Sequence, residues 1–271
     1  MPIMIEEKAM GRCTPYETVF GVGGLGDREF PAIEEEGTLR GVSLERRDLF
    51  AGMESVGKLL GQLVPADADG ASLDHHLETV FHCFRFWRAE QQVYAFDEAV
   101  VRSLLDTPPR LADWPFGSPH PAFYIELPLN LFWAKVTEEQ APEPVEGLFV
   151  STGQTQVPPG AGILLVLGMR ADRPGFSTMG LAVDLEREIE LEEPAAFASE
   201  IPGADLAGFY SLRRASEVVI LLLRLLWYLD TYAESLERVA GSGTAKPGCA
   251  GREMPTGLDH YAVRLVERSR G

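Results

Sequence analysis

Ala122-Phe123-Tyr124-Ile125-Glu126-Leu127, closed by Pro128, is where the texture of this chain changes from helix to strand. Its aromatic and aliphatic residues have strand composition, and the proline ends the run. Toward the C-terminus, Phe132 to Val136 and Leu148 to Ser151 read as two further strands, joined by the acidic turn Thr137 to Glu146. Gly162 to Met169 is a fourth, apolar enough to be central. Met179 to Leu185 is a fifth, after the turn Asp172-Arg173-Pro174-Gly175. Short turns between successive strands predict an antiparallel meander of about five strands rather than βαβ crossovers. The expected class is α+β, with the meander packed against long helices.

Those helices flank the strands. Ser72 to about Gln92 has an N-cap serine, Asp74 in its first turn, and one apolar face of Leu77, Val80, Phe81, Phe84 and Trp87. Glu78, His82 and Arg85 are expected to point elsewhere. Ser43 to Leu63 repeats Leu49, Met53, Val56, Leu59, Leu60 and Leu63 at mostly helical spacing. Asp97 is placed to cap a short helix, Glu98 to Leu105, which Pro108-Pro109 ends. Ser216 to about Arg238 is apolar nearly all round, as a buried helix should be, and Tyr261 to Val266 reads as a small terminal element. The expected organisation is a Gly/Pro/Glu-rich segment at 1–42, an α+β core at 43–240 and a flexible segment at 241–271.

Within the first segment, Gly21-Val22-Gly23-Gly24-Leu25-Gly26-Asp27 invites a nucleotide-loop reading. That reading fails, because Pro31 should prevent a long helix from starting there and a Gly-Lys-Ser/Thr ending is missing. A flexible turn is expected instead.

Lys+Arg number 24 against 41 Asp+Glu in 271 residues, a formal charge of −17. Such a field repels phosphate backbones and anionic bilayers, so neither nucleic acid nor membrane is an expected partner. The longest apolar run, Val218 to Leu229, is interrupted by Arg224 and falls short of the ~20 residues of a membrane span. Cys13, Cys83 and Cys249 form an odd, scattered set that suits a reducing cytoplasm better than a disulfide framework.

Chemistry is sparse. His75 and His82 lie seven residues apart, as do His76 and Cys83, which on a helix is about 10 Å along the axis and too far to share one metal. No metal or cofactor is therefore expected, and these histidines read as surface groups. A Gly-x-Ser-x-Gly elbow is missing, and Cys83, among Phe81, Phe84 and Phe86, reads as an inert thiol. Glu186, Glu188, Glu190, Glu192 and Glu193 read as a solvated acidic edge. Trp87, Tyr94, Phe96, Phe123, Tyr124, Phe132, Trp133 and Phe149 crowd one third of the chain, either as core or as the lining of a groove.

Trp87-Arg88, Val93-Tyr94-x-Phe96-Asp97-Glu98, Phe123-Tyr124-Ile125-x-Leu127-Pro128 and Glu146-Gly147-Leu148-Phe149-Val150 form an ordered series. With Leu225-Leu226-Trp227-Tyr228-Leu229, it resembles the type V-A anti-CRISPR proteins that suppress synthesis of the Cas effector, and their bacterial and plasmid-borne relatives. The resemblance implies a binding protein rather than a metabolic enzyme, one that recognises a nascent N-terminal segment. This chain departs from those members in ending on the mixed-charge Glu267-Arg268-Ser269-Arg270-Gly271 instead of a basic tail. The expected site is a groove formed by Trp87, Arg88, Tyr94, Asp97, Tyr124, Glu126 and Trp133, with Arg88, Asp97 and Glu126 orienting a peptide. The competing expectations are an enzyme using carboxylates and His120 on a cationic or metal-bound substrate, or a structural oligomer component.

Overall fold

A computed structural model describes residues 11–65, 70–107, 119–134, 143–156, 159–169, 179–184, 210–212, 215–243 and 256–266. Helix α1 (Pro15–Phe20) opens with a capping box: Thr14 accepts from the Glu17 N–H, and Glu17 accepts from the Thr14 N–H at 2.7 Å. Helix α2 (Leu25–Arg40) then runs straight through Pro31 and stops at Gly41, whose φ of 61° closes it in the left-handed conformation. The expectation that Pro31 forbids a long helix is thus corrected. An interior proline costs about 3 kcal/mol, but Phe30 and Ile33 beside it are fully buried and each contributes about 1.5–3 kcal/mol. Their burial offsets the lost hydrogen bond.

The helix predicted over Ser43–Leu63 is two, α3 (Arg47–Ala51) and α4 (Glu54–Leu63), broken at Gly52 with Met53 buried between them. Helix α5 (Gly70–Arg88) starts before Ser72, which is therefore inside it rather than at its cap. Strand β1 (Val93–Phe96), helix α6 (Glu98–Asp106) and strand β2 (Ala122–Glu126) follow. Then come β3 (Phe132–Ala134), β4 (Glu143–Val145), β5 (Gly147–Gln156), β6 (Pro159–Met169), β7 (Met179–Asp184) and β8 (Tyr210–Leu212). Helix α7 (Ala215–Thr231), a 3-10 turn (Ala233–Ser235), β9 (Leu236–Val239) and β10 (His260–Val263) complete the described chain.

The sheet is mixed, not an antiparallel meander. Seven strands lie in the order β7-β6-β5-β2-β1-β10-β9. From β2 through β7 neighbours pair antiparallel, but β1 runs parallel to both β2 and β10. The parallel β1–β2 pair requires the intervening α6 as a crossover, and β10 returns from the end of the chain to pair Tyr94 with Tyr261. Strands β4, β3 and β8 form a separate three-stranded sheet, in which β3 pairs antiparallel with β4 and parallel with β8. The α+β class stands.

At β1, β2 and β5 both faces of the large sheet are covered. Val93, Tyr124 and Phe149 join a cluster with Tyr16, Phe20, Phe30, Phe50, Phe81, Phe84 and Phe86 from α1, α2, α3 and α5. Tyr94, Phe96, Phe123, Ile125, Leu148 and Val150 point the other way, into Val100, Val101 and Leu104 of α6 and Leu221, Leu222, Leu225, Leu226 and Leu229 of α7. The alternation is the period of two of a strand, read on three neighbouring strands. Gly147 serves this register: a Cβ there would stand 1.9 Å from the Tyr124 hydroxyl oxygen on the adjacent strand. No helix among the described residues is long and apolar enough to cross a membrane.

Candidate functional site

The last turn of α5 borders a concave feature with polar groups on its rim. Arg85 follows Phe81 by four residues, so its guanidinium lies over that ring, 5.8 Å from the centroid. Its Nη2 donates to the Thr152 carbonyl of β5, while Nη1 is buried without a hydrogen-bond partner among the described residues. The whole side chain is only 6% exposed. Burial pulls the Arg85 pKa down, Glu45 opposes that, and Arg88 adds to it. Beside it lies a cavity of about 270 Å³, walled by Leu44 and Glu45 before α3, by Arg85, Arg88 and Ala89 at the end of α5, and by Pro121 and Ala122 entering β2. Arg88 is half exposed and holds Glu34 of α2 at 3.1 Å through Nε.

Two features fix this cavity. The Pro121 carbonyl accepts from the Thr152 N–H at 2.9 Å, and the Tyr124 N–H donates to the Gln92 carbonyl at 2.9 Å, which pins the start of β2. Between α5 and β1 the chain reverses through Glu90 and Gln91, non-glycine residues with φ of 62° and 55°. That conformation is costly for L-residues and persists only where surrounding contacts impose it.

A second polar cluster is closed on itself. Glu126, on the Tyr124 face of β2, receives the Arg12 N–H at 2.7 Å and Arg12 Nε at 3.1 Å, one on each carboxylate oxygen. Arg12 also donates to the Leu127 carbonyl at 2.5 Å. Glu17 accepts from Thr14, from the Thr256 hydroxyl at 2.8 Å and from the Gly257 N–H at 2.5 Å. The Gly11 N–H donates to His260 Nε2 at 3.1 Å. Burial raises Glu126 to about 7 although Arg12 pulls it down. Burial likewise raises Tyr124 well above the ordinary phenol value, helped by Glu126. These groups tie the two ends of the described chain to the sheet and offer no open donor set to a ligand.

The residues expected to form one groove do not meet. Trp87 packs among Phe30 and Phe84 and donates to Asp27 at 3.0 Å. Tyr124 shares that side, but Tyr94 is on the opposite face, against Phe123, His120 and Tyr261. Trp133 belongs to the small sheet, donating to the Asn130 carbonyl at 3.2 Å. Phe96, Phe123, Phe132 and Phe149 are all buried. Asp97 stands at the N-cap of α6 without a side-chain cap bond, and burial raises its carboxyl pKa against the pull of Arg264. Arg88 is the one predicted site residue that lines the cavity.

Other expectations are also revised. His82 is a buried residue 3.6 Å from Glu78, not a surface group, and desolvation lowers its pKa. Cys83 is a free buried thiol with a raised pKa, as an inert cysteine should be, but Cys13 is disulfide-bonded. Cysteine spacing gave no sign of that bond, because spatial proximity and not sequence distance permits it. Cys249, the acidic run Glu186 to Glu193 and the closing Glu267 to Gly271 lie outside the described residues, as does the side chain of His75. Among the described residues no group of three or more His, Cys, Asp or Glu is placed to hold a metal ion. Arg85, Glu45, Arg12 and Glu17 were not anticipated as site or network residues. The sequence alone places Arg85 only on the helix face pointing away from the apolar stripe.

No protein family matches the sequence, and no curated protein matches it. Among solved structures the chain is similar to that described as "Crystal structure of AcrVA2", with 9% identity, a TM-score of 0.49, and coverage of 88% of this chain and 79% of that one. At that identity and score the likeness assigns neither family nor function.

Proposed function

We propose that this chain is a recognition protein that grips a segment of a partner polypeptide, nascent or mature, at the cavity closing the end of α5. The observation that carries the reading is the cavity itself: concave, part apolar, and bordered by Arg85, Arg88 and Glu45. Pockets that bind ligands combine an apolar lining with a few placed polar groups in this way. By contrast, the Arg12–Glu126–Glu17 cluster has its carboxylates occupied by protein donors. The −17 charge supports a protein partner over nucleic acid.

Selection of short random peptides against the full chain tests this. Enriched peptides should lose most of their affinity when Arg88→Ala is introduced and keep it in Arg102→Ala, a surface change on α6 across the sheet. Peptides that fail to enrich, or that bind both variants alike, would remove the reading.

A further inference from the structure

We infer that the cavity at the end of α5 takes a carboxylate, borne on an acidic side chain or a chain terminus; the recognition reading supplies only the identity of its carrier. Arg85 is the reason. Its guanidinium is held from below by the Phe81 ring and from one side by the Thr152 carbonyl, leaving Nη1 without an acceptor in a nearly fully buried side chain. A buried donor left unmade is expensive, and a charged donor more so, so an incoming acceptor gains what the folded chain has left unused. The ring contact and the Thr152 bond fix the guanidinium plane, and because Nη1 is itself sealed from solvent, an incoming acceptor reaches it by parting the inner wall of the cavity.

The surroundings select among anions. Glu45 borders the same cavity, and Arg88 already holds Glu34 through Nε, so the local positive surplus is small. The chain as a whole is −17. A dianionic phosphate would meet more repulsion from both than a monoanion, which needs only the one unused donor. Leu44, Ala89, Pro121 and Ala122 supply an apolar wall suited to the methylenes that carry such a carboxylate.

The probes are N-acetylglutamate and N-acetylglutamine, each capped at its α-carboxyl as the N-methylamide so that the first is a monoanion and the second its neutral isostere, and inorganic phosphate, titrated into the ¹⁵N-labelled full chain while the Arg85 Nε–H resonance is followed. N-acetylglutamate should shift that resonance saturably and bind at least about tenfold more tightly than N-acetylglutamine, the difference between a charge-assisted and a neutral hydrogen bond. Ala89→Phe, which fills the cavity from its rim and leaves Arg85 in place, should abolish the shift. Equal binding of the amide, tighter binding of phosphate, or a shift that survives Ala89→Phe overturns the inference. If N-acetylglutamate fails while selected peptides still depend on Arg88, this inference falls and the recognition reading stands. If it binds but no peptide is ever selected, the recognition reading falls and the carboxylate site stands.

Discussion

The two faces of the large sheet bury apolar surface in different ways. The face toward α6 and α7 is mostly aliphatic, a layer of Val, Leu and Ile against two helices. The face toward α1–α5 is built from rings: Phe30 meets Tyr16, Phe20, Phe84 and Trp87 at centroid distances of 5.0 to 6.3 Å. Charged side chains are interleaved with those rings: Glu17, Glu126 and Arg85 are buried, and Arg12 is largely so. Large, flat side chains leave polar seams and a cavity between them, whereas branched aliphatics close up. Both arrangements bury a core, and Arg224 of α7 is buried too, but the aromatic side holds most of the charge kept from water and is the side more sensitive to lost partners and to pH.

Breaking the Arg12–Glu126 pair should give the largest effect. Above pH 7, Glu126→Ala leaves the Arg12 guanidinium nearly buried with no counter-ion and should cost about 3–5 kcal/mol. The double change Arg12→Met, Glu126→Leu, which turns this seam into something like the opposite face, should recover most of that loss. Urea midpoints of the three proteins decide the matter. A single variant within 1 kcal/mol of the parent, or a double variant no better than the single, would mean the seam is not an ion pair held out of water.

The same carboxyl sharpens the contrast through pH. Burial raises Glu126 from 4.5 to about 7 in the folded chain, so folding favours the protonated form. Its contribution is complete below pH 4.5 and is lost as pH rises through about 7. The difference in stability between parent and Glu126→Gln should therefore change by up to about 3 kcal/mol across that window. Leu225→Ala, on the aliphatic face, should differ from the parent by a constant amount over the same range. A flat Glu126→Gln difference would place the carboxyl in a wetter setting than its burial indicates.

This contrast also explains what could be read from sequence. The long helix carrying Phe81 and Phe84, the strand at 122–126 and the α+β class were legible because each rests on local period and composition. The mixed sheet was not. Its parallel pairing of Tyr94 with Tyr261 joins segments far apart in the chain, and no local pattern encodes such a partner. Tyr94 and Tyr124 look alike in sequence, yet they face opposite ways because adjacent strands offset their alternation. A groove lined by both would need them on one face, and even the Tyr124 face is closed by the N-terminal helices through Phe20, Phe30 and Ile33. Arg85 was hidden for the opposite reason: its position in the helical wheel reads as a polar face, and only the tertiary bond to the Thr152 carbonyl of β5, with the Phe81 ring beneath, holds it inward.

The smallest expected effect lies in the turn beside the cavity. The aromatic side leaves α5 through two successive residues with positive φ, Glu90 and Gln91, whereas α6 and α7 on the aliphatic side end at Thr107 and Tyr232 with φ of −132° and −126°. A left-handed L-residue costs roughly 1–2 kcal/mol, and glycine at the same place adds back about 0.4–1 kcal/mol of unfolded-state entropy. Glu90 is exposed, and its hydrogen bonds among the described residues are backbone ones, N–H to the Trp87 carbonyl at 3.1 Å and carbonyl from the Gln92 side chain at 3.1 Å, which glycine would keep. Glu90→Gly should therefore stabilise the chain by about 0.5–1 kcal/mol and raise Tm by a few degrees. Gln91→Gly should gain less, because the Gln91 side chain also hydrogen-bonds the buried Tyr16 hydroxyl. Thermal melts that rank the two the other way would move the strain from residue 90 to residue 91, and with it the point at which the aromatic face compels the chain to turn.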